Sequence, residues 1–397
     1  MQCRLTVAER SYSVAAMPRS TDRIVTTHAG SLPRPDDVVE MIWAGIEGQP
    51  TDEQALAQRL DGAVAEVVRQ QRDAGIDVVS DGELSKPGFS NYINDRFTGF
   101  DGRSEFQADD VAPFPNLAMR LFATPAMAHL VFANCVDEVT VKDPGAVQRD
   151  IDRLKRALGD TPPSQAFMGA ISPGQVAFNF PDHHYGSHEK YLEALGAALR
   201  HEYKAITDAG FNLQIDSPDL AMAAHCRSVG SSIQSWDTHL PMAIDALNAA
   251  LDGIPEEQIR LHVCWGNYAG PHHKDVPLRD IVGEVFRANA GTFYVEGANP
   301  RHEHEWEVFK EVELPDGKDL ILGVIDVKVN AVEHPRLVAQ RLTRLAGVVG
   351  RENVQAGTDC GFDTFIRFSQ VDPDVVWLKL QALSEGAAMA SDELWAA

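Results

Sequence analysis

"LHVCWGNYAG", residues 261–270, ends a short apolar run with a histidine and a cysteine two positions apart. Residues i and i+2 of a strand face the same side. Reading residues 260–263 as a strand therefore puts His262 and Cys264 together at its carboxyl end. The same grammar, an apolar or β-branched run that stops at a chemistry-bearing side chain, recurs at 24–27, 78–80, 167–171, 213–215, 293–295, 320–325 and 354–356. Helical patterns fill the intervals, and strands alternating with helices imply a parallel sheet. Eight such units in 397 residues predict an α/β fold of the (β/α)8 TIM-barrel type.

Local punctuation agrees with this register. Thr51 and Gln54 have the spacing of a capping box ahead of a long amphipathic stretch that stops at "DAGI", where Gly75 suits a left-handed cap. "DAGF" ends a second helix in the same way, and Pro335 fits the first position of a third. Residues 90–150 are different. "FTGFDGRSEFQADDVAPFP" is polar and punctuated by glycine and proline, so the segment is expected to be an insertion after strand two, covering the site. Residues 1–23 are expected to be a flexible leader, and 24–397 a single barrel domain.

The balance of 58 acidic and 35 basic residues gives a net charge of −23. Such a surface repels phosphate backbones and anionic membranes, which argues against nucleic acid and membrane partners and leaves small molecules. No apolar run approaches the roughly 18 residues of a membrane span. Cys3, Cys135, Cys226, Cys264 and Cys360 are scattered and do not form a disulfide framework, so a reducing cytoplasm is expected.

In a barrel the chemistry sits where strands end. Those ends supply Asp81, Glu83 and Lys86, then Asp216, then His262 and Cys264, then Glu296, then Asp326 and Lys328, and finally Cys360. His-x-Cys alone is a weak signal, because an isolated cysteine is commonly a small buried hydrophobe. Convergence of His262, Cys264, Glu296 and Cys360 from neighbouring strand ends is stronger, since imidazole, thiolate and carboxylate together suit Zn2+. Cys3, Cys135 and Cys226 are read as incidental. The histidines of "GPHHK" and "RHEHEW", including His302 and His304, are read as solvated loop residues.

"TTHAGSLPRP", "SDGELSKPGF", "LQIDSPDL", "HVCWGN", "FYVEGANP", "GVIDVKVNAVEHP" and "GTDCGFDT" occur in this order from residue 26 onward. They resemble the catalytic domain of the cobalamin-independent methionine synthases. Its wider uroporphyrinogen-decarboxylase-like superfamily also includes epoxyalkane:coenzyme M transferases. The resemblance implies zinc held by His262, Cys264, Glu296 and Cys360, and alkyl transfer to a zinc-bound thiolate. It also implies an amino-thiol such as homocysteine held near Gly30 and Ser31, with Glu83 and Asp216 meeting its ammonium. Lys328 stands where the family has a proton-donating histidine, and Asp326 precedes it on the same strand end, so both are candidate catalytic residues. Asp-Ser-Pro replaces Asp-Glu-Pro after strand four, and no tryptophan accompanies His183 and His184, which puts a folate donor in question. Arg34, Lys86, Arg301 or Lys328 could instead meet a sulfonate or phosphate.

The leading reading is thus a zinc-dependent transferase with a small-molecule thiol acceptor and an alkyl donor. The alternatives are epoxide opening by zinc-bound coenzyme M and, from another class, a noncatalytic zinc-binding protein. A zinc hydrolase fits less well, because two thiolates and a carboxylate make the ion a poorer Lewis acid than a histidine-rich set does.

Overall fold

The computed structural model describes residues 17–124, 127 and 132–396. Its centre is a curled sheet of seven parallel strands, in the spatial order Val25–Thr26, Val354–Gly357, Asp319–Gly323, Thr292–Val295, Ile259–Val263, Asn212–Asp216 and Phe167–Ile171. The predicted strand at 78–80 is a single parallel bridge from Val79 to Ala166. On its other side the Val78 N–H donates to the Thr26 carbonyl at 3.0 Å. This piece lies between the first and last strands of the sheet, an arrangement consistent with a TIM barrel.

Every residue of the strands Phe167–Ile171, Asn212–Asp216 and Ile259–Val263 is buried, but the two faces differ. Leu213, Ile215 and Leu261 join the main apolar core. At alternate positions Gln214, Asp216, Arg260 and His262 bond to one another or to adjoining backbone. One face packs against helices, and the other carries a polar network toward the strand ends.

The surrounding helices follow their local signals with one correction. Helix Glu53–Asp73 is capped by Asp52, whose side chain accepts the Ala55 N–H, and not by Thr51. The helix begins one residue later than the expected box allows. Gly75 and Gly210 have φ of +83° and +89°, as their cap positions require. Helix Pro335–Val349 starts on its proline, and His334 caps it by accepting the Arg336 N–H.

Between Val79 and Phe167 the chain forms helix Ala146–Leu158 and short strands that pair within the segment or with the chain far beyond it. Phe100–Asp101 runs antiparallel to Asn134–Cys135, and Phe106–Ala108 antiparallel to Cys226–Ser228. Of the expected leader, residues 1–16 and with them Cys3 lie outside the described residues. Met17 and Ser20 are buried, and Arg19 pairs with Asp319 at 2.6 Å. Among the described residues no helix is long and apolar enough to cross a membrane.

Candidate active site

Strand Ile259–Val263 delivers His262 and Cys264 to the floor of a cavity, and the turn after Val354–Gly357 delivers Cys360. Cys264 Sγ and Cys360 Sγ are 3.6 Å apart. Two thiolates on one tetrahedral zinc, each about 2.3 Å from the ion, would stand about 3.8 Å apart, so the sulfurs already have that spacing. The bond between them splits the thiols. Cys264 is raised well above an ordinary thiol, and Cys360, the acceptor, is lowered with help from His262. The Gly266 N–H also donates to Cys264 Sγ at 3.2 Å.

His262 is aimed by Asp216. Its Nδ1 lies 2.9 Å from Asp216 Oδ1, and Gln214 donates to that same oxygen at 2.7 Å. Arg260 donates to Gln214 in turn, at 2.9 and 2.6 Å. Burial, the largest influence, would lower the His262 pKa, but the Asp216 bond together with the charges of Cys360 and Asp216 outweighs it and leaves the ring at about 8. A carboxylate on one ring nitrogen is the usual device for orienting a metal-binding imidazole. Asp216, expected on the substrate, therefore serves the histidine.

Glu296 lies behind the sulfurs. It accepts from the Trp265 N–H at 3.0 Å, from Asn299 Nδ2 at 2.6 Å and from Lys328 Nζ at 3.0 Å. Burial alone would raise this carboxyl, but the Lys328 ammonium holds it down at about 2. Lys328 is thus committed to Glu296, and Asp326 Oδ1 accepts the Lys328 N–H at 2.8 Å in a tight turn. Asp359, not singled out in the sequence, accepts the N–H groups of Gly297, Ala298 and Asn299 and so fixes the loop that carries Glu296. No three of the four expected zinc ligands gather within 4.8 Å; among the described residues the group that does is Asp110, His225 and Cys226. The donor types, the sulfur spacing and the oriented imidazole fit zinc, with Glu296 held ready by neutral donors and one cation.

The other wall holds Glu83, at a φ of +56°. Burial, only partly offset by Lys86 and reinforced by Asp216, lifts its pKa to about 7. A Cβ on Gly169 would meet Glu83 Oε1 at 2.7 Å and Asp216 Oδ2 at 3.2 Å. The two carboxylates therefore lean over a residue that must lack a side chain. Lys86 Nζ donates to the Gly169 carbonyl at 2.7 Å and stands 3.7 Å from Glu83 Oε1. Ser31 lines the cavity, and its buried hydroxyl has no partner among the described residues. Gly30, at φ +121°, turns the chain past Glu83. Arg34 is spent on structure: it donates to Asp363 and to the carbonyls of Glu83 and Lys86, with no exposed side-chain surface.

These groups open into about 900 Å3 of space walled by Phe89, Phe106, Phe122, Phe132, Phe178, Met222, Tyr268, Phe365 and Phe368. Its polar lining includes Ser31, Glu83, Gln175, Asn179, Asp216, Asn267 and Thr364 but, among the described residues, no lysine or arginine. The reading of the extra histidines as solvated fails for two of them. His272 and His302 are buried because both bond the buried Asp275 carboxylate, at 3.0 and 2.9 Å.

Residues 180–371 match the family model described as the catalytic domain of cobalamin-independent synthase. The resemblance read from the motifs holds. The chain is 26% identical to a 2-hydroxypropyl-CoM lyase of Xanthobacter autotrophicus, over 94% of this chain and 96% of that protein. It is 24% identical to a methionine synthase of Thermococcus kodakarensis, over 93% and 94%. The solved B12-independent methionine synthase from Shewanella sp. W3-18-1, in complex with selenomethionine, superposes with a TM-score of 0.70 at 23% identity, covering 94% of this chain and all of that one. That likeness shows a shared fold. The family and these relatives are enzymes acting on small molecules.

Proposed function

We propose that the protein is a zinc-dependent thiol alkyltransferase of the cytoplasm, built as one (β/α)8 barrel over 24–397 with residues 90–150 inserted after strand two. Its zinc ligands are His262, Cys264, Glu296 and Cys360. The observation that carries the reading is the Cys264–Cys360 sulfur pair beside an Asp216-oriented His262 on the floor of an aromatic cavity. When bound, zinc would supply the charge that removes an incoming thiol's proton at neutral pH while leaving sulfur nucleophilic.

The remaining work belongs to the chain's own residues. Glu83 offers a carboxylate to the ammonium of an amino-thiol, and Ser31 offers a free hydroxyl to its carboxylate. The phenylalanines exclude water and receive an apolar alkyl group. Lys328 holds Glu296 until the ligand set needs it. A noncatalytic zinc-binding protein would require neither the cavity nor a buried Glu83 in a left-handed conformation.

A homocysteine-like acceptor is favoured by a lining with two carboxylates and, among the described residues, no lysine or arginine to meet a sulfonate. The second reading, epoxide opening with coenzyme M, is favoured by the lyase relative that spans nearly the whole chain. Titrating each thiol into the cobalt-substituted protein, with the sulfur-to-cobalt band as readout, separates them. Tighter homocysteine binding is expected. Tighter coenzyme M binding would promote the second reading, and a band indifferent to both would end the transferase reading.

A further inference from the structure

A second set of buried donors lies where two distant segments meet. Ala108 is the register partner of Cys226 in the antiparallel pair, and the Asp109 N–H donates to the His225 carbonyl at 2.8 Å. This register brings Asp110 beside His225 and Cys226, with one donor atom from each within 4.8 Å of the others. Their exposures are 0%, 2% and 2%.

Two polar atoms of this cluster have no hydrogen-bond partner among the described residues: Asp110 Oδ1 and His225 Nδ1. Folded proteins rarely leave buried polar groups unpaired, because the lost hydration is not recovered. Two in one place ask for a shared partner. His225 Nε2 stands 3.3 Å from Asp275 Oδ1, and Asp275 is fixed by His272 and His302 through its other oxygen. A carboxylate behind a histidine is the arrangement that orients metal-binding imidazoles.

We propose that Asp110, His225 and Cys226 form a second metal site, separate from the cavity floor and selective for zinc. One oxygen, one nitrogen and one sulfur donor suit a borderline-soft ion, whereas magnesium and calcium take all-oxygen sets. Binding releases the Cys226 thiol proton to solvent. Cys226 packs in one apolar cluster with Phe178, Met222 and Tyr268, all three of which wall the cavity. The ion therefore acts as a clasp, pinning the segment around Asp110 to the barrel and fixing the cavity's roof.

The test uses the full chain loaded with cobalt(II). A Cys264→Ala, Cys360→Ala double variant removes both cavity-floor thiols. It is expected to keep about one cobalt per chain, with the charge-transfer band of a single thiolate, and to lose both when Cys226→Ser is added. A double variant that is folded by circular dichroism but metal-free, or a band that survives Cys226→Ser, would overturn the proposal. Should the double variant not fold, Cys226→Ser and Asp110→Asn in the otherwise unaltered chain are each expected to lower the metal content by one ion, and unchanged content overturns it. Failure of the transferase reading has a different signature: metal content insensitive to Cys360→Ala.

Discussion

Cys264 and Cys360, 96 positions apart in the chain, bring their sulfurs to 3.6 Å because the strands Ile259–Val263 and Val354–Gly357, with two others between them in one curled sheet, both lead to the cavity floor. If that pair holds zinc, Cys360→Ala should lose about one zinc per chain by elemental analysis. The substitution removes a single buried sulfur, so the protein should still fold. Equal zinc in both proteins would take Cys360 out of the site.

Asp216 gives the second prediction. Its bond to His262 means that Asp216→Asn should weaken zinc binding about 10–100-fold, as is usual when a ligand's orienting partner is removed. Competition with a chromophoric chelator measures this. Unchanged affinity would return Asp216 to the substrate side of the site.

Glu83 should make stability depend on pH. Its folded-state pKa is about 7, against 4.5 for the free side chain, so between those values the folded protein keeps a proton that the unfolded chain releases. Stability then falls as pH rises through that window, by about 3 kcal/mol at most. Glu83→Gln is uncharged throughout, so its advantage in Tm over the wild type should be larger at pH 8 than at pH 5. A difference that does not change with pH would mean that Glu83 ionises normally.

Much of this was legible in the sequence, for a physical reason. A strand end is a short-range feature: the apolar run, the stop and the polar residue lie within ten positions, and His262, Cys264, Glu296 and Cys360 are all singled out that way. Partnerships were not legible, because they depend on distances across the barrel. Nothing local to Lys328 says that it will bind Glu296, or to Arg34 that its guanidinium will bond the Asp363 carboxylate and the carbonyls of Glu83 and Lys86. Asp359 stands in plain view between Thr358 and Cys360, yet its four hydrogen bonds go to residues some 60 positions away. One missed signal was available. Gln214 with Asp216, and Arg260 with His262, are polar pairs at period two inside strands, a pattern that marks a polar barrel interior.

Gly169 offers a test of acceptor choice that leaves the metal alone. A methyl group there would meet Glu83 Oε1 at 2.7 Å and displace a carboxylate that, near an effective dielectric of 20, attracts an ammonium about 4 Å away by roughly 4 kcal/mol before desolvation. Gly169→Ala should therefore erode any preference for homocysteine over coenzyme M by at least tenfold with zinc content unchanged. Retained preference would show that Glu83 does not meet the acceptor.

The pairing of Val25–Thr26 with Val354–Gly357 bears on how the protein is made. The first strand of the sheet must wait for the last, and Cys360 follows three residues after it. A ribosome must have delivered residue 360 before the sulfur pair can exist. If the cavity floor holds a metal, that ion can be acquired only after Cys360 has been made, and nascent chains stalled upstream of residue 360 should emerge unable to hold it.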